Sequence, residues 1–175
     1  KSEKEPLRLG RRESEPHSFE VTYIFNVLWK NFPESRTFWD LHHYFYFGDE
    51  KWDIQFDVSL FNDLEEPEDI SSYDSAKFNY RVPDMAINVL SASTARKDIY
   101  EIDKKCELLR IPIYIIFTPY DVAPDPYVAP FLQVFILDSN MVYRSISVDD
   151  FAAKQGVAGF DSEKMISLAP KLNLS

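Results

Sequence analysis

Apolar positions along this chain change their spacing several times, and each change marks an element. Behind Ser18, a capping residue, Phe19, Ile24, Val27, Leu28 and Asn31 approximate helical spacing, and Pro33 closes the run. Residues 39–47 are mostly aromatic and predict a strand; 48–51 supply a turn. Residues 52–61 then alternate, with Ile54, Phe56, Val58 and Leu60 on one side and Gln55, Asp57 and Ser59 on the other. After an acidic loop at 62–69 and a polar stretch to Tyr80, residues 82–90 predict a third strand with Pro83 at its entrance. A loop and cap at 91–94 lead into a helix over about 95–110, whose apolar stripe is Ile99, Ile102, Cys106 and Leu109. A buried strand at 112–117, a Pro-rich connection at 119–130 and a hairpin (131–137 and 141–146) follow, the hairpin turning through Asp138 to Asn140.

Helix, three strands, helix, strand and hairpin make an α+β or α/β fold, with a mixed central sheet flanked by helices. The helix between the third and fourth strands suggests a crossover and a partly parallel sheet. Residues 1–17 read as a charged arm, 18–146 as the domain, and 147–175 as a helical tail packed on it. No repeat interrupts this order.

Composition narrows the function classes. The chain has 175 residues, 45% hydrophobic and 15% aromatic, enough for one domain with a sheet-rich core. No stretch reaches the ~20 apolar residues of a membrane helix, and the polar start is unlike a signal peptide, so a cytoplasmic protein without membrane partners is expected. One cysteine, Cys106, excludes an internal disulfide, and three histidines (His17, His42, His43) are too scattered for a metal cluster. Four glycines leave no room for a phosphate-binding loop. The net charge of −10 argues mildly against nucleic-acid binding, because positive charge is only local: Arg8, Arg11 and Arg12, then Arg96 and Lys97, then Lys104 and Lys105.

Among single residues, Asp57 stands out, since an acid mid-strand needs a reason. A solvated outer face is the plain one; a metal ligand or acid–base carboxylate is the functional one. Asn88 is likewise disfavoured within a strand and, if buried, must find several partners. Asp84 fits a local contact at the strand entrance. On the following helix Lys105 lies about 60° from Ile102, flanking the buried stripe, whereas Lys104 points to solvent. Cys106 sits on the core stripe, and of His42 and His43 at most one can face a cleft.

The segment Val82-Pro-Asp-Met-Ala-Ile-Asn-Val-Leu-Ser-Ala-Ser-Thr-Ala-Arg-Lys-Asp98, continued by Cys106-Glu-Leu-Leu-Arg-Ile-Pro-Ile-Tyr-Ile-Ile-Phe117, resembles the Uma-two family of restriction-endonuclease-like proteins in the PD-(D/E)XK nuclease superfamily. Upstream, Ile54-Gln-Phe-Asp-Val-Ser-Leu-Phe61 is similar to the family's strand bearing its first acid, and Pro16-His17-Ser18 to its lead-in; the likeness spans about 16–146. It implies strand ends that hold magnesium or manganese and act on DNA phosphodiesters. Asp57 then matches the first metal-binding acid, Asn88 stands where a Glu is expected, and the family lysine falls on Ile102. Phosphodiester hydrolysis needs a metal to hold the phosphate and activate water, and a cation to balance developing charge. The resemblance thus implies a degenerate site, with Asp57 and Asn88 as metal ligands and Lys105 as replacement cation. A metal-dependent endonuclease-like protein, weak or inactive, is the first expectation. The alternative is a non-catalytic, self-associating module, a homodimer, on the same fold, using the aromatic strands and the 119–130 connection.

Overall fold

The computed structural model describes residues 15–64, 70–91, 98–118 and 131–149. The arm to residue 14, most of the loop after Ser91, the 119–130 connection and the tail beyond 149 lie outside these residues, as do the basic clusters at 8–12 and 96–97. The elements are α1 (Glu15–Asn31), β1 (Ser35–Phe47), β2 (Glu50–Asn62), β3 (Tyr73–Asp74), a 3-10 turn (Ser75–Phe78), β4 (Met85–Val89), a π-helical turn (Asp98–Ile102) running into α2 (Asp103–Leu108), β5 (Ile113–Thr118), β6 (Phe131–Leu137) and β7 (Tyr143–Asp149). The strands form one seven-stranded sheet in the order β3-β1-β2-β4-β5-β6-β7. It is mixed, as expected: β4–β5 and the short β1–β3 pairing are parallel and the rest antiparallel. Among the described residues no helix is long and apolar enough to cross a membrane.

Each face of the sheet carries its own core. One face is aromatic: Phe38, Phe45, Phe56, Phe61, Tyr73 and Tyr114 pack with Ile102 and Cys106 from the π turn and α2. The other is largely aliphatic, with Val58, Leu60, Ile87, Val89 and Ile113 under Val21 and Leu28 of α1. Each large apolar side chain fully buried this way is worth roughly 1.5–3 kcal/mol. The α1 stripe differs from expectation in two members. Val27 and Asn31 are exposed, and the inward row is Val21, Ile24, Phe25 and Leu28, spacing that follows 3.6 residues per turn more closely.

The larger correction concerns β2. Ile54 and Phe56 belong to the aromatic face, but Val58 and Leu60 belong to the aliphatic one, so the expected unbroken alternation fails at Asp57. The partner strand shows why. Pairing runs from Ser35↔Asn62 to Trp39↔Val58 and resumes at Leu41↔Phe56, skipping Asp40 and Asp57. Asp40 adopts a left-handed φ of 49°, a conformation Asp tolerates better than most residues. Phe38 and Leu41, three apart, consequently share the aromatic face. Both strands of the hairpin switch faces at the same level.

Candidate active site

β4 pairs with β2 over only three positions, Leu60↔Met85, Ser59↔Ala86 and Val58↔Ile87. Where this ladder stops, the next pair of residues is Asp57 and Asn88, and their side chains take over. The Asp57 N–H donates to Asn88 Oδ1 at 3.1 Å, and the Val89 N–H donates to Asp57 Oδ2 at 2.7 Å. Asn88 Nδ2 donates in turn to the Tyr114 hydroxyl on β5 at 3.0 Å. The two strands thus exchange side chain-to-backbone bonds in place of backbone ones, and each bond satisfies a buried group that would otherwise cost about 1–3 kcal/mol. Asp57 and Asn88 are both buried, so the outer-face reading of Asp57 is overturned.

Lys105 is held elsewhere. Its Nζ lies 3.1 Å from Glu101 Oε1, one helical turn back, and 5.3 Å from the centre of the Trp52 ring. Those are its charged and aromatic partners, and neither is Asp57 or Asn88. Lys104 is exposed, as its place on the helical wheel predicts. Ile102, where the resemblance expects a lysine, is buried in the aromatic core.

The remaining candidates resolve simply. Asp84 ties the start of β4 to the end of β2, its Oδ2 accepting from the Asn62 N–H at 2.7 Å and standing 3.4 Å from Arg81. His42 is exposed and bonds Asp53 at 2.9 Å. His43 is fully buried: Nδ1 donates to the Leu41 carbonyl at 2.7 Å and Nε2 accepts from the Ser59 hydroxyl at 2.9 Å. Burial pushes its pKa down to about 4, so the ring is neutral at pH 7. Burial also raises the Asp103 carboxyl and the Tyr143 hydroxyl, the latter donating to the Ile111 carbonyl. Cys106 is buried, as expected of its stripe.

Tyr114 is the member of the constellation that sequence reasoning missed. It sits in an apolar run, Ile-Tyr-Ile-Ile, where a lone hydroxyl facing inward is the available signal, because buried tyrosines seek a polar partner.

As a ligand set, Asp57 and Asn88 offer one carboxylate and one carboxamide, hard oxygen donors suited to magnesium or manganese. Among the described residues no group of three or more His, Cys, Asp or Glu gathers around an ion-sized point. Two donor residues, each already accepting a backbone N–H, are fewer than the roughly six oxygens such a cation takes.

No family model matches the chain, and none of the curated proteins does. A solved structure does: one described as a "putative nuclease belonging to DUF820", from Anabaena variabilis, superposes with a TM-score of 0.57 at 16% identity, over 79% of this chain and 69% of that one. The fold is therefore nuclease-like.

Proposed function

We propose that this chain is a restriction-endonuclease-like domain whose Asp57–Asn88 junction is a reduced divalent-metal position directed at DNA phosphodiesters. The reading is carried by one observation: on a nuclease-like fold, a buried carboxylate and a buried carboxamide meet where the β2–β4 ladder ends. Asp57 and Asn88 would hold magnesium or manganese, which when bound would polarise a phosphate oxygen and activate water. Asp57 supplies the single negative charge, with Oδ2 steadied by the Val89 N–H. Asn88 supplies a neutral oxygen, oriented by its bond to Tyr114. Lys105 would serve as the balancing cation only by leaving Glu101 and Trp52. One charge in place of two, and a cation engaged elsewhere, predict slow cleavage that needs a high metal concentration.

Manganese titration by calorimetry, run beside nicking of plasmid DNA, tests this. Wild type should bind in the millimolar range and nick slowly, Asp57→Ala should lose both, and Asn88→Glu should bind about tenfold or more tightly as the second charge returns. If neither wild type nor Asn88→Glu shows any manganese heat while both remain folded, the metal reading is wrong.

A further inference from the structure

We draw no further inference here: the strongest candidate, the cavity of about 580 Å³ along the outer edge of β1, lined by Trp29 and Trp39 on the α1 side and by Phe38 and Leu41 on the aromatic side, carries nothing because nothing in the structure shows what covers it.

Discussion

Two buried polar clusters lie one strand apart in this sheet and are built on opposite principles. His43 stands inside the aromatic face, stacked at 5.8 Å on Phe45 and set edge-on at 5.1 Å to Phe56. Its hydrogen bonds go to Leu41 and Ser59, both within the β1–β2 hairpin, so it closes a local ring. Asp57, Asn88 and Tyr114 instead span β2, β4 and β5 and bond backbone groups that the ladder has abandoned. One cluster fills space with a neutral ring; the other joins strands that have begun to part. A buried polar group is therefore best judged by whose donors and acceptors it satisfies.

The contrast can be broken experimentally. The largest effect should come from Asn88→Ala, which strands both the Asp57 N–H and the Tyr114 hydroxyl and leaves a small void. A loss of about 3–4 kcal/mol, read as a lower urea midpoint at unchanged slope, is expected. Acid should act on the other cluster. His43 titrates near 4 in the folded chain and near 6.5 unfolded, so its contribution is whole above pH 6.5 and drains away as pH falls toward 4. That amounts to about 3 kcal/mol across the window, and His43→Phe should show a flatter pH dependence of stability than wild type. Tyr114→Phe removes one partner of Asn88 and should cost about 1–1.5 kcal/mol in thermal melts. Lys105→Ala should change stability by under about 1 kcal/mol, because its ion pair is partly exposed. A larger Lys105 effect, or a small Asn88 one, would invert the ranking and with it the distinction between the clusters.

Much of this was legible before the structure. Element order and the mixed sheet follow from aromatic and alternating runs bounded by Gly48, Pro33 and Pro83, because those patterns reflect local backbone limits. The solvent position of Lys104 and the buried one of Cys106 follow from helical geometry alone. What escaped depends on distant partners. Asp40 at positive φ has no signature in its neighbours, so the switch of faces in β2 was invisible and Val58 and Leu60 went to the wrong layer. β3 is two residues long and exists only through its pairing with His43 and Tyr44. The alliance of Lys105 with Trp52 joins residues 53 positions apart, which a helical wheel cannot see. The meeting of Asp57 with Asn88 was expected from the family likeness, but the bonds that hold them, to Val89 N and to Tyr114, arise from a ladder ending early.

The shared reversal at Asp40 and Asp57 also makes the hairpin an object with two halves of opposite handedness to the layers beneath it. Deleting one residue from a single arm would turn that arm's outer half inside out, exposing rings and interring charges, while its companion stayed as it was. Length changes in this hairpin are therefore tolerable only in matched pairs, and a loop graft or tag belongs at the Gly48–Asp49 tip, where neither arm is displaced against the other.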